Sequence, residues 1–370
     1  MKIGVITFSD SKDNYGQILQ AYAMQEYLKD MGHNPFLIRY KSSLNEQKAG
    51  FKAYKILTYL RKFPFYVKWY LGYRKMSRDN EAYKASTDFE KRDFSGFISN
   101  RITATGFYDE NTIHATPPFA DAYICGSDQI WGRDNAYYLS FAPDNALKIA
   151  YAPSLGGIKS FSQADESNIK KLVNRLNKVG MREQSGVDTL YRMGINNAVK
   201  VIDPTLLLNA EDYLKIAKDE KVEKPYAFVY LLGSPISISM EEIANYIEHR
   251  KLDLKYVGSQ GRNDNYTKLN PTIEAWLGDI ANADCVITNS FHCTVFALQF
   301  HRPVITLPLT GGFKRMNSRI EELFEESGLA DAFTSDLHRL ETINYDFRRF
   351  EDYKLSQQKF SCKFLDILSK

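Results

Sequence analysis

Cysteine is scarce: the 370 residues hold four, Cys125, Cys285, Cys293 and Cys362, with no close pair among them. That spacing argues against a zinc cluster and a disulfide framework and points to buried, reduced thiols. No run of about 18 apolar residues occurs, which excludes a spanning helix. Low-complexity tracts are absent. The loop after the first strand-like segment lacks Gly-x-Gly-x-x-Gly, so a dinucleotide is not indicated. A formal charge of +3 is too small a surplus to argue for a nucleic-acid partner. The opening Met1-Lys2-Ile3-Gly4-Val5-Ile6-Thr7-Phe8 has no apolar signal core and no small-residue cleavage site, so the expected location is the cytoplasm. What remains is a globular composition, 44% hydrophobic and 25% charged, in a chain long enough for two domains and therefore a cleft.

Hydrophobic patterning predicts where those domains lie. A strand at 3–8, a polar loop Ser9 to Gly16, a helix from about Gln17 to Met31 ended by Gly32 and a strand at 35–40 make a doubly wound opening. Further strands are predicted at 122–125, 148–152, 179–182 and 199–202, each followed by polar loop residues, so the loops share one rim. From Pro225 the alternation restarts, with strands at 226–232, 254–257, 285–288 and 304–307 and helices at 241–251, 272–281 and up to about Phe300. The predicted fold class is α/β, with two Rossmann-like domains over residues 1–205 and 206–345 facing across a cleft, as in the B-type glycosyltransferases (GT-B). Periodicity alone leaves other double α/β arrangements open. A polar helix at roughly 350–369, within a C-terminal segment 346–370, is expected to fold back on the first domain.

Residues 51–75 differ in character. Phe51, Tyr54, Tyr59, Phe63, Phe65, Tyr66, Trp69, Tyr70 and Tyr73 alternate with seven lysines and arginines. Within a helical insertion at about 45–100, this segment either lies on an anionic membrane surface or docks on the first domain with its cations solvated.

His292 has the most informative setting. Cys285-Val286-Ile287-Thr288 reads as a strand buried on both faces, Asn289 and Ser290 are helix N-cap types, and Val295, Phe296 and Leu298 begin a helical stripe. His292 is thus placed at the carboxyl edge of a parallel sheet, beside a helix N-terminus that attracts anions. A capping or packing role is the competing explanation.

Several segments together resemble the polysaccharide pyruvyl transferases. They are Asn14 to Ala21, Ile124 to Trp131, Ile149 to Gly156, Met181-Arg182-Glu183, Asp203 to Leu208, Thr288 to His292 and Asn317 to Ile320; each is weak alone, but their number and order are specific. The resemblance implies a GT-B-like fold with the acceptor on the N-terminal side and the donor on the C-terminal side. It implies transfer of pyruvate from phosphoenolpyruvate, as co-substrate, to a sugar of a surface or capsular polysaccharide precursor, lipid-linked in some members. It requires no cofactor and no metal. The protein would work in the cytoplasm or peripherally at the inner membrane face. By the same resemblance His292 is the general acid and Arg182 binds the donor. Some relatives carry an arginine where this chain has Ser290, so Lys314, Arg315 or Arg319 would supply the missing charge, the guanidinium groups being better suited to a carboxylate or phosphate.

Phosphoenolpyruvate presents a phosphate and a carboxylate close together, and its site needs several cations or amide donors. Arg182, a cation from 314–319 and the helix start at Ser290 meet that need. Asn14, Gln17, Ser127, Asp128 and Gln129 are the candidate acceptor contacts. Each has a plainer alternative. Arg182 could form a surface ion pair with Glu183 or Asp188, and Asp203 could simply cap a turn. Asp128 could cap a helix holding Trp131, Asn14 could belong to an ordinary turn, and Trp131 is either a sugar platform or core. Two other functions fit the same pattern: a nucleotide-sugar glycosyltransferase, and a non-catalytic scaffold of capsule assembly.

Overall fold

The computed structural model describes residues 1–42, 89–132, 134–158, 160–218, 222–259 and 261–369. The aromatic and basic segment 51–75 lies outside the described residues.

Two parallel sheets organise the chain. The first contains β1 (Lys2–Ile6), β2 (Asn34–Tyr40), β3 (Ala104–Tyr108), β4 (Ala122–Cys125), β5 (Leu147–Tyr151), β6 (Lys178–Met181) and β7 (Ala198–Lys200), in the order β3-β2-β1-β4-β5-β6-β7. The second contains β8 (Tyr226–Leu231), β9 (Asp253–Gly258), β10 (Cys285–Thr288) and β11 (Val304–Thr306), in the order β11-β10-β8-β9. Every pairing within the two sheets is parallel. This explains why central strands such as β4, β8 and β10 are buried at every position: helices cover both faces, so the sequence shows apolar runs and no alternation.

The expected α/β fold with two Rossmann-like sheets is the observed one. β3 escapes periodicity because Ala-Thr-Gly-Phe-Tyr sits at the sheet edge, where none of its residues is fully buried. The helix proposed to hold Trp131 does not form. Asp128 has φ of 78°, Ser154 N donates to Asp128 O at 2.8 Å and Trp131 N to Ser154 O at 3.3 Å, so this backbone bonds to the neighbouring loop and not along a helix. Trp131 is core, stacked on Tyr138 at 5.0 Å with its indole N–H donated to Tyr137 O.

The helices that position the site are α1 (Tyr15–Asp30), α2 (Gln184–Arg192), α3 (Ile273–Ala281), α4 (Phe291–Gln299), α5 (Ser318–Glu326) and α6 (Phe347–Leu365). As expected, α6 returns to the first sheet. Ile202 N donates to Ser361 Oγ at 3.0 Å, Lys178 Nζ to Phe364 O at 2.7 Å, and Phe364 packs on Tyr151 and over Gly180, where a Cβ would meet its ring at 3.0 Å.

An aromatic seam joins the two halves. Tyr15, the first residue of α1, stacks on Trp276 of α3 at 4.9 Å and 7°, and meets Tyr230 at the end of β8 edge-on. Its hydroxyl donates to Pro271 O at 2.7 Å, and Tyr230 donates to Asp13 O at 3.1 Å. Arg92, fully buried, bridges the halves through Nη2 to Gly258 O (2.7 Å), Nε to Asn270 Oδ1 (2.9 Å) and Nη1 to Asp13 O (3.3 Å).

Candidate active site

A second seam, charged rather than aromatic, lies where the carboxyl ends of β6, β7 and β10 converge. Its foundation is local. At the end of β10, Thr288 Oγ1 donates to Tyr230 O at 2.6 Å, and the Asn289 amide both accepts from Leu232 N (2.7 Å) and donates to Leu232 O (3.1 Å), fixing the strand end against β8. Ser290 then caps α4, accepting from Cys293 N. This forces Phe291 and His292 into the first turn, both buried.

From the other half, Arg182 leaves β6 with its side chain 2% exposed. Its Nη1 donates to Asp203 Oδ2 at 3.2 Å and to Ser127 Oγ at 3.3 Å, and its Nε to Glu183 Oε1 at 3.3 Å. The surface ion pair considered for Arg182 is therefore a buried one. Asp203 joins the groups: Oδ2 accepts from Ser127 Oγ at 2.7 Å and faces His292 Nε2 at 3.6 Å, while Oδ1 accepts from Thr205 N at 3.0 Å and Thr205 Oγ1 at 2.7 Å. It caps a turn, as the plainer explanation held, and it also links Arg182 to His292. Burial alone would raise the Asp203 carboxyl, but the facing His292 and the Arg182 guanidinium hold it well below the usual carboxylate range. Burial likewise opposes the charge of Arg182, and Glu183, Asp203 and Asp128 more than offset it, so its pKa is raised.

Arg319 arrives from α5, part of the second half, which Glu322 anchors by accepting from Gln184 N at 3.0 Å at the start of α2. The Arg319 and Arg182 guanidinium groups lie over the same Phe291 ring, 5.7 and 5.0 Å from its centroid. Burial and the neighbouring Arg182 charge push the Arg319 pKa down to about 10. Three enclosed nitrogens of this cluster, Arg182 Nη2, Arg319 Nε and His292 Nε2, have no hydrogen-bond partner among the described residues. Buried donors are nearly always paired, so three in one place mark a missing acceptor.

His292 is held from the opposite side by Gly16. A Cβ at Gly16 would lie 2.2 Å from His292 Nδ1, so the imidazole rests directly on the first turn of α1. A similar contact closes the rim. A Cβ at Gly157, whose φ is 74°, would lie 2.2 Å from Arg315 O.

The structure thus brings together His292, Arg182, Arg319, Ser290 and Ser127 from the sequence-based candidates. The Ser127 hydroxyl is engaged by Asp203 and Arg182 and belongs to the charged network. Asp128 Oδ1 accepts from its neighbour Gln129 N at 2.8 Å, and Gln129 packs against Gly156. Asn14 occupies the N-cap position of α1 without a side-chain cap bond, and Gln17 lies on its first turn. Lys314 and Arg315 are exposed on the 3-10 helix Gly311–Asn317 before α5. Sequence reasoning did not select Glu183, Phe291 or Gly16, and it left Asp203 a turn residue; the Asp-Pro-Thr following a strand was the available signal. Among the described residues no group of three or more His, Cys, Asp or Glu is placed to hold a metal ion.

Two facing Rossmann-like sheets with a C-terminal helix returning to the first are the GT-B architecture, and one solved structure of similar fold agrees. A protein assigned as a UDP-N-acetylglucosamine 2-epimerase from Listeria monocytogenes aligns over 98% of this chain and 89% of its own, at TM-score 0.50 and 10% identity. The UDP-GlcNAc 2-epimerase of Methanocaldococcus jannaschii aligns over 97% and 93%, at TM-score 0.49 and 13% identity. At such identities the likeness concerns the fold alone. No curated protein matches the chain. The sequence profile of the polysaccharide pyruvyl transferase family matches residues 14–309, and the chain belongs to that family. Membership makes it a transferase of polysaccharide biosynthesis. No helix among the described residues is long and apolar enough to cross a membrane.

Proposed function

We propose that the protein transfers pyruvate from phosphoenolpyruvate to a sugar of a surface polysaccharide precursor, forming a ketal. The observation that carries this reading is the trio of enclosed, unpartnered nitrogens on Arg182, Arg319 and His292. Two guanidinium groups over one phenyl ring suit a small ligand with two anionic ends, and phosphoenolpyruvate has a phosphate and a carboxylate.

In this scheme His292 is the general acid. It protonates the methylene carbon of phosphoenolpyruvate, leaving an oxocarbenium-like centre at C2 that one sugar hydroxyl attacks. Phosphate then departs, and a second hydroxyl closes the ketal. Of the two hydroxyl protons released, one restores the acid and the other leaves with phosphate. Asp203, facing Nε2 at 3.6 Å, helps to hold the imidazole in place. The Arg182 pairs with Asp203 and Glu183 fix its guanidinium before the ligand arrives.

Calorimetric titration with phosphoenolpyruvate, uridine diphosphate and guanosine diphosphate tests the reading. Phosphoenolpyruvate should bind, and Arg182→Ala should abolish that binding. Binding of a nucleotide and not of phosphoenolpyruvate would move the assignment to glycosyl transfer.

A further inference from the structure

The turn that carries Asp203 lies along one face of α4. His292 and Gln299 are seven residues apart in that helix, so they stand two turns apart on the same side, about 10 Å from each other. Asp203 faces His292 at one end, and at the other Gln299 Nε2 donates to Thr205 O at 3.0 Å. Between them the Tyr213 ring meets Phe296 edge-on at 4.8 Å, and its hydroxyl donates to the same Thr205 O at 2.9 Å. Asp203, Thr205, Tyr213 and Gln299 are all buried.

Thr205 decides which way the Asp203 carboxylate points. Rotation about the last bond of an aspartate side chain is soft, so its two oxygens exchange places unless a neighbour tells them apart. Here Oδ1 accepts from both Thr205 N and Thr205 Oγ1, which leaves Oδ2 for Ser127, Arg182 and His292. Gln299 fixes Thr205 in turn, and it does so at a cost. Its Oε1 is enclosed without a partner among the described residues, and an acceptor left that way destabilises a fold. Without this amide Thr205 O would still be paired by Tyr213, so stability alone does not call for it. What the amide adds is a tie from the far end of α4 to the residue that orients the carboxylate facing His292.

We infer that Thr205 and Gln299 are positioning residues: together they hold Asp203 in the orientation whose Oδ2 registers His292 on Arg182 across the two halves. The inference rests on the reading of His292 as the acid and adds the residues that align it. The test is NMR of the full chain with labelled histidine. The ring signal of His292 is identified by its loss in His292→Asn, and Asp203→Asn supplies the displaced reference. Thr205→Val and Gln299→Leu should each move this signal toward its position in Asp203→Asn, whereas Thr205→Ser, which keeps the hydroxyl, should leave it at the wild-type position. His33, His114, His249 and His338 should stay in place in all three, and the unfolding midpoint of Gln299→Leu should not fall. An unmoved His292 signal in both Thr205→Val and Gln299→Leu, or a serine variant that behaves like the valine one, would overturn the inference. So would movement of the other four histidines together with His292, which would make the two residues structural. Failure of the wild-type protein to bind phosphoenolpyruvate would instead refute the donor assignment, since the histidine spectra need no ligand and decide the positioning by themselves.

Discussion

The two seams between the halves are built from opposite materials. At the aromatic seam Tyr15, Tyr230 and Arg92 direct their polar groups to backbone carbonyls or Asn270 across the interface, and Trp276 Nε1 is left without a partner. At the charged seam Arg182, Arg319 and His292 each keep an enclosed nitrogen unmatched, although carboxylates lie beside them. The first seam resembles a domain core; the second is complete only with an added acceptor. The aromatic seam leaves a single indole N–H open, whereas the charged seam gathers three enclosed nitrogens in one cluster, as a ligand site would.

The largest effects should come from removing the centre of each seam. Trp276→Ala removes a fully buried indole from the stack with Tyr15, and Asp203→Ala takes from buried Arg182 one of its two carboxylate partners; each should cost about 3–5 kcal/mol in denaturant unfolding. Their pH dependence should separate them. The Asp203 carboxyl is held low in the folded protein, so its contribution is fully present above about pH 4, the unfolded value, and is lost as pH falls further toward the folded one. The difference between wild type and Asp203→Ala should therefore shrink in acid. Loss of the indole has no such link to pH, and equal acid sensitivity of the two variants would erase the proposed contrast.

Gly16 joins the seams, since its neighbour Tyr15 anchors the aromatic one and its own α-carbon supports His292. A methyl group there displaces the imidazole. Gly16→Ala should lower the rate of transfer about a hundredfold, a typical result of moving a catalytic group by an ångström. Phosphoenolpyruvate affinity, measured by titration, should change much less; a variant with wild-type kcat would remove His292 from the reaction or show that α1 can yield.

Smaller again is the effect of Arg319→Leu. Phosphoenolpyruvate should bind about tenfold more weakly, while the unfolding midpoint should not fall, because no ion pair with a described residue is lost. A lowered midpoint with intact binding would make Arg319 a structural residue.

Much of this was legible in the sequence. The runs Ala122 to Cys125 and Cys285 to Thr288 are strands over those same residues, since burial on both faces leaves an uninterrupted apolar run. Asn289 and Ser290 announced the start of α4, and with it the position of His292. Trp131 was ambiguous because an indole looks alike as core or sugar platform until its surroundings are known. β3 was invisible because an edge strand is only partly covered.

By itself, then, the sequence determined the buried strands and capped helices, the family motifs and the placement of His292 and Arg182 at strand ends. These depend on local periodicity and capping, which each segment carries within itself. Tertiary structure alone decided that Asp203 faces His292, that two arginines share the Phe291 ring and that Gly16 supports the imidazole. The physical reason is distance along the chain: such contacts form between residues of different elements, and in most cases of different halves, so they exist only once two separately patterned sheets have packed against each other.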